Sequence, residues 1–222
     1  MYVGHDGHDE SSGALGVAPD RARLVTGIAD VDRLPRTGRP VAVLAQTTLA
    51  VDEWTAVAVA ARRRFGNVWT ARREDICYAT SNRQRALRDV AGAVDAVIVV
   101  GSASSANTAA LVRVARRAGV APVLRLDGAC ELPDTGRIAT VAVTAGASAP
   151  EDAVCEVIQA LHPVSVERTA PLDERTHFPL PAALRRLLAD DDEGAALLAL
   201  ERELSAVELL ARVEAMIMAR AA

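Results

Sequence analysis

Three short runs hold the residues best suited to chemistry. In E-D-I-C-Y-A-T-S-N-R-Q, residues 74–84, Cys77 stands among polar neighbours. A structural cysteine usually sits in apolar surroundings, whereas a reactive or metal-bound thiolate needs an accessible polar pocket. Taken alone, the run also suits a thiol that is merely half exposed. In G-H-D-G-H-D-E, residues 4–10, imidazole and carboxylate groups share one loop. Such a loop can bind a metal, handle protons or form a solvated polar turn. His5 and His8 lie three apart with no third ligand at a recognisable spacing, so the residues by themselves favour the solvated turn. The remaining chemistry is that of neutral donors: Thr47 and Thr48, then Ser102, Ser104, Ser105 and Asn107, then Thr144 and Ser148.

Those donors follow the segments that read as strands. Val41–Ala45, Ala96–Val100 and Thr140–Val143 are short β-branched runs, and helical patterns follow near 52–64, 107–118 and 151–161. Tyr2-Val3 reads as the end of another strand, running into Gly4 and His5. Strands alternating with helices predict parallel sheets flanked by helices. In such sheets ligands bind beyond the carboxyl ends of strands, where helix N-termini offer free N–H groups to anions. Any one junction is also explained by ordinary helix capping. Three junctions of the same chemistry favour a shared pocket for a phosphate or diphosphate.

Composition narrows the classes. With a net charge of −4 and a pI near 5.6, the chain lacks the basic stripe that nucleic acid or a membrane surface would want. Three cysteines without paired spacing do not make a disulfide framework. No apolar run approaches the length of a membrane span, and residues 1–10 lack the blocks of a secretory signal. The expectation is a soluble, reduced, cytoplasmic protein. Aromatic residues make up 3% of the chain, so its core must be built from Ala, Val, Leu and Ile.

Taken together, G-H-D-G-H-D-E, L-A-Q-T-T-L-A-V-D, D-I-C-Y-A-T-S-N-R-Q, V-I-V-V-G-S and V-T-A-G-A-S-A-P-E resemble one family in sequence, order and separation. That family is 4-hydroxy-3-methylbut-2-enyl diphosphate reductase, the iron–sulfur enzyme that ends the non-mevalonate isoprenoid pathway. The similarity runs from about Tyr2 to about Arg185, and F-P-L-P-A-A-L-R looks like the end of the family's domain. The resemblance implies a three-lobed α/β fold around a 4Fe–4S cluster, each lobe giving one cysteine thiolate. It implies reductive removal of the substrate's hydroxyl, with electrons from a ferredoxin- or flavodoxin-like donor, to give isopentenyl and dimethylallyl diphosphates. Position by position, Cys77 matches a cluster ligand and Glu10 the carboxylate that relays the proton. His8 matches a histidine at the diphosphate, and Thr47, Ser105, Asn107 and Ser148 match the other contacts to hydroxymethylbutenyl diphosphate.

The resemblance also implies an incomplete set. The family's first lobe, with a cluster cysteine and two substrate histidines, has no counterpart here, nor has the opening helix of the second lobe with another cysteine. Cys130 and Cys155 fall at no ligand position, and Ala106 and Ala14 stand where the family has serine and, commonly, threonine. Four-iron clusters are held by several cysteines, so one of three family ligands is too few for the chain to act alone.

The expected organisation is therefore two small parallel-sheet lobes of the three-lobed reductase fold plus a C-terminal helical extension. Residues 1–72 would form the second lobe, 73–165 the third, and 166–222 the C-terminal segment and tail. A helix predicted over 194–219 is apolar nearly all round, as befits a core or an interface. It would cover the surface left by the absent lobe or dock a polypeptide supplying that lobe. Two functions are expected: a reductase completed by another polypeptide, or a non-redox diphosphate-binding or interaction protein. Metal-dependent hydrolysis by His5, His8 and Glu10 is a third and weaker alternative.

Overall fold

The structure is a computed structural model that describes residues 1–71, 75–133, 138–169, 179–189, 192–200 and 212–213. The chain forms two compact units, Met1–Leu172 and Asp173–Ala222. Two parallel sheets lie in the first. One contains β1 (Tyr2–Val3), β2 (Leu24–Val25), β3 (Val41–Ala45) and β4 (Val68–Thr70), in the order β2-β1-β3-β4. The other contains β5 (Ala96–Val100), β6 (Val123–Leu126) and β7 (Val141–Ala145), in the order β6-β5-β7.

The helices of this unit are α1 (Asp9–Val17), α2 (Ile28–Arg33), α3 (Val51–Phe65), α4 (Tyr78–Ala91), α5 (Ala106–Arg117) and α6 (Glu151–Ala160). A loop over residues 34–40 separates α2 from β3. Val3, Val25, Val43 and Ala45 of the first sheet pack with Val31 of α2 and with Val57 and Ala61 of α3. Strand β5 is buried along its whole length, as expected of a central parallel strand covered on both faces. Its Val97 and Val99 join Leu111 and Val114 of α5 and Leu87 of α4, while Ile98 and Val100 pack on the other face with Val157 of α6.

Each sheet has a point where the chain reverses its direction of winding. From β1 the chain moves to β2 and then crosses to β3 on the opposite side; from β5 it moves to β6 and then crosses to β7. The carboxyl ends of β1 and β3, and of β5 and β7, therefore flank two crevices of the kind in which open α/β sheets bind ligands.

Several expectations need correction. Thr144 lies inside β7 rather than in the loop after it, because β7 runs on to pair Thr144 with Val99 and Ala145 with Val100. Glu10 lies in the first turn of α1 rather than in a loop, and His8 is the residue that caps that helix. In the second unit, Ala182–Ala189 forms α7, and α8 spans Asp192–Ala199 with Leu200 in a turn, so the predicted helix begins earlier and breaks at Leu200. Leu180, Leu188, Leu197 and Val213 form that unit's own small core. Most of the predicted helix beyond Leu200, and the predicted lobe boundary at 72–74, lie outside the described residues.

One hydrogen bond fastens the entrance of α4 to the first sheet: the Ala45 N–H donates to the Asp75 carboxylate at 2.9 Å. Burial nevertheless holds the Asp75 carboxyl above its ordinary value of 3.8, with that N–H pulling the other way. The folded chain thus keeps a proton on Asp75 to higher pH than the unfolded chain does. This contribution is greatest at low pH and falls as pH rises above 3.8 through the folded value, because the ionised form is the one that burial penalises. Asp75→Asn should remove that downward component from a plot of unfolding free energy against pH. Leu111→Ala, in the fully buried side of α5, should lower stability by about 2–5 kcal/mol in urea unfolding.

Candidate functional site

Thr47, two residues beyond β3, is where the first crevice is tied together. Its N–H donates to Glu10 Oε1 at 2.8 Å and its hydroxyl donates to Glu10 Oε2 at 3.0 Å. Its carbonyl accepts the Cys77 N–H at 2.9 Å. One residue therefore grips a carboxylate on one side and the start of α4 on the other. Cys77 itself is exposed and occupies the N-cap position of α4.

Two imidazoles border this group, and each is committed differently. His8 Nδ1 accepts the Glu10 N–H at 3.2 Å, which caps α1 and fixes the neutral ring with its proton on Nε2, a hydrogen-bond donor. His5 Nε2 lies 3.1 Å from an Arg113 guanidinium nitrogen. Because guanidinium only donates, that nitrogen must accept, and Nδ1–H then faces Gln46 Oε1 at 3.3 Å. The fully buried Gln46 also accepts the His5 N–H at 2.9 Å and donates to Thr48 Oγ1 at 2.7 Å. His5 thus has no lone pair left for a metal. Among the described residues no group of three or more His, Cys, Asp or Glu could hold a metal ion.

The second crevice is built from α5. Ser105 caps the helix by accepting the Thr108 N–H at 3.3 Å. Asn107 is 5% exposed, and neither end of its amide has a partner among the described residues. Buried amides are normally hydrogen-bonded, and this one, at a helix N-terminus, keeps both its donor and its acceptor available. Gly146, after β7, lies so close to Thr108 Oγ1 that a β-carbon there would collide with it. The loop carrying the exposed Ser148 is thereby pressed against the first turn of α5. Gly101 meets Thr108 in the same way and adopts φ 143°, so a side chain at either glycine would push the loops apart.

The sequence-predicted residues therefore fall into two groups: Glu10, His8, Thr47 and Cys77, joined by hydrogen bonds at one crevice, and Ser105, Asn107 and the Ser148 loop, brought together by close packing at the other. The tie between them runs through His5 and Arg113. Arg113 also meets Glu53 of α3 at 3.2 Å, and Arg117 reaches Asp52 at 2.7 Å and Glu53 at 2.9 Å. Arg88 of α4 completes the cluster with Asp52 at 3.3 Å. Gln46 and Asp75 are site-supporting residues that sequence reasoning missed, although both lie inside quoted motifs.

As for the cysteines, Cys130 lies exposed in a 3-10 turn, Ala129–Glu131, and Cys155 lies within α6. Of the three cysteines, Cys77 is the one whose backbone is bonded to a residue of the crevice. That donor set fits one ligand of an iron–sulfur cluster and does not fit the whole group.

Comparison with known proteins identifies the family. The family model described as LytB protein matches residues 1–162. The chain is 42% identical over 192 residues to 4-hydroxy-3-methylbut-2-enyl diphosphate reductase 2 of Mycobacterium bovis, covering 83% of this chain and 58% of that protein. It is 40% identical over 203 residues to the Leifsonia xyli reductase, covering 89% and 60% respectively. The chain thus spans about three-fifths of the length of these relatives. Among solved structures, the E-1-hydroxy-2-methyl-but-2-enyl-4-diphosphate reductase of Plasmodium falciparum superposes with a TM-score of 0.71 at 30% identity, over 73% of this chain and 52% of that one. With both switch-point crevices in place and the family model spanning both sheets, the chain belongs to the LytB protein family.

Proposed function

We propose that the chain is the diphosphate-holding and proton-donating part of a 4-hydroxy-3-methylbut-2-enyl diphosphate reductase, completed by another polypeptide. The observation that carries this reading is Thr47, which bonds the Glu10 carboxylate and the Cys77 backbone from opposite sides. An acid beside a cluster-ligand thiol is what removal of a hydroxyl as water requires. The open amide of Asn107, the Ser105 and Ser148 hydroxyls, and the Nε2–H of His8 are neutral donors suited to phosphoryl oxygens. Glu10 would hold the proton that the departing hydroxyl takes up, and Thr47 would keep its carboxylate aimed.

The cluster, when bound, would supply the two electrons, drawn from a ferredoxin- or flavodoxin-like protein. Cys77 is the residue of this chain that would touch it, and the polypeptide with the remaining lobe would bring the other thiolates. The three thiols, none in a disulfide, fit a reducing cytoplasm. Among the described residues no helix is long and apolar enough to cross a membrane. We assign residues 1–72 and 73–165 to two lobes of the reductase fold, and the segment after 166 to a separate extension.

A second reading, a non-redox protein that keeps the diphosphate pocket, is favoured by the placement of Cys130 and Cys155 away from Cys77's surroundings. Iron and sulfide analysis after anaerobic reconstitution separates the two. The reductase reading expects cluster uptake when the chain is mixed with a cysteine-bearing first-lobe polypeptide, and none by the chain alone. Failure of the mixture to bind iron, with pyrophosphate binding intact, would leave the second reading.

Two substitutions refine the test. Cys77→Ala should abolish iron uptake by the mixture, whereas Cys130→Ala and Cys155→Ala should leave it unchanged. Asn107→Ala should weaken calorimetric binding of inorganic pyrophosphate about tenfold, the loss expected for one hydrogen bond to a charged group.

A further inference from the structure

Glu10 has capacity beyond its two bonds to Thr47, since a carboxylate has about four lone-pair sites. Near it lies the Tyr2 phenol, with the Ser11 hydroxyl beside that phenol. Tyr2 is 6% exposed and Ser11 is 1% exposed, and both oxygens are buried without a bond of standard geometry among the described residues. The phenol faces Glu10 and Ser11 nonetheless, near enough that both act on its ionisation.

Gly4 makes this meeting possible. A β-carbon at Gly4 would stand 2.6 Å from Ser11 Oγ and 2.9 Å from Tyr2 Cε1. The missing side chain is what lets the ring of β1 and the first turn of α1 share one space. A buried hydroxyl without a partner is unfavourable relative to the apolar side chain of the same shape. Phenylalanine would fill the Tyr2 position and alanine the Ser11 position without that penalty, so two orphan hydroxyls meeting in one buried space call for a common explanation.

We propose that Tyr2 is a positioning residue for Glu10: its buried O–H, with the Ser11 hydroxyl beside it, steadies the carboxylate in addition to Thr47 once its proton has been given up. The proposal rests on the reading of Glu10 as the acid. Burial and the Glu10 charge, with a further push from Asp75, raise the phenol's ionisation well above its ordinary value. Tyr2 therefore stays an O–H throughout. The proton that reaches the departing hydroxyl comes from Glu10, and none leaves Tyr2.

The test is a double-mutant cycle on the full chain, with Tyr2→Phe, Glu10→Gln and the double variant compared by urea unfolding at neutral pH. The expected result is non-additivity of about tenfold in the unfolding constant, ~1.4 kcal/mol; additive effects overturn the proposal. Should Tyr2→Phe fail to fold, the Tyr2 Cζ resonance of the wild-type protein against Glu10→Gln answers instead. A shift supports the contact, and an unchanged resonance overturns it.

Turnover in the mixture with the first-lobe polypeptide separates this proposal from the reading beneath it. Tyr2→Phe should lower kcat about tenfold with KM unchanged, ~1.4 kcal/mol in the barrier, and Tyr78→Phe should do neither. If Glu10→Gln leaves turnover intact, the acid reading falls and the proposal with it. If Glu10→Gln abolishes turnover while Tyr2→Phe leaves kcat alone, the pair falls and the acid reading stands.

Discussion

The site depends on one threonine meeting three bonds at once. Thr47 uses its N–H, its hydroxyl and its carbonyl to join α1, β3 and α4. A carboxylate held by two donors has a set direction, which a single contact would not impose. Because the carbonyl simultaneously receives the Cys77 N–H, the Glu10 carboxylate and the Cys77 backbone share one reference point. A change in the β3–α3 loop would therefore displace both groups together.

The surrounding ion cluster has a different task. Asp52 and Glu53 at the start of α3 face Arg88 on α4 and Arg113 and Arg117 on α5. Partly exposed pairs of this kind are each worth about 0–1 kcal/mol, so the cluster is a weak source of stability. Its geometry matters more. Arg113 bonds Glu53 and His5 together, so the same guanidinium that links α3 to α5 also orients the loop after β1. Guanidinium stays charged across the accessible pH range and presents several donors in one plane, which a lysine could not reproduce.

The sequence declares some of this architecture and hides the rest, for physical reasons. Strands β3, β5 and β7 are five residues each and rich in Val, so their character is plain from the residues. Strands β1 and β2 have two residues apiece, too few for any alternation to be visible. Helix α1 carries Ser11, Ser12, Gly13 and Gly16 and has no apolar stripe; its capped start and its packing on β1 define it. Among the site residues, Cys77, Glu10 and the hydroxyl loops were legible through their motifs. The roles of His5, Gln46 and Asp75 were not, because each depends on a partner 30 to 108 residues away. Local pattern carries no trace of such pairings, and identical letters in a polar loop suit a solvated turn equally well.

The two crevices share a template. Gly4 precedes Ser11 by seven residues and Gly101 precedes Thr108 by seven, and in each case the hydroxyl of the helix's third residue presses on the glycine that ends the central strand. His8 and Ser105 cap at the same offset, and Glu10 and Asn107 follow them at the same offset. One ruler thus sets the acid in one half and the amide in the other. The molecule consequently contains its own control: transplanting the eight-residue turn of one half into the other exchanges a titratable group for a neutral one without redrawing the scaffold.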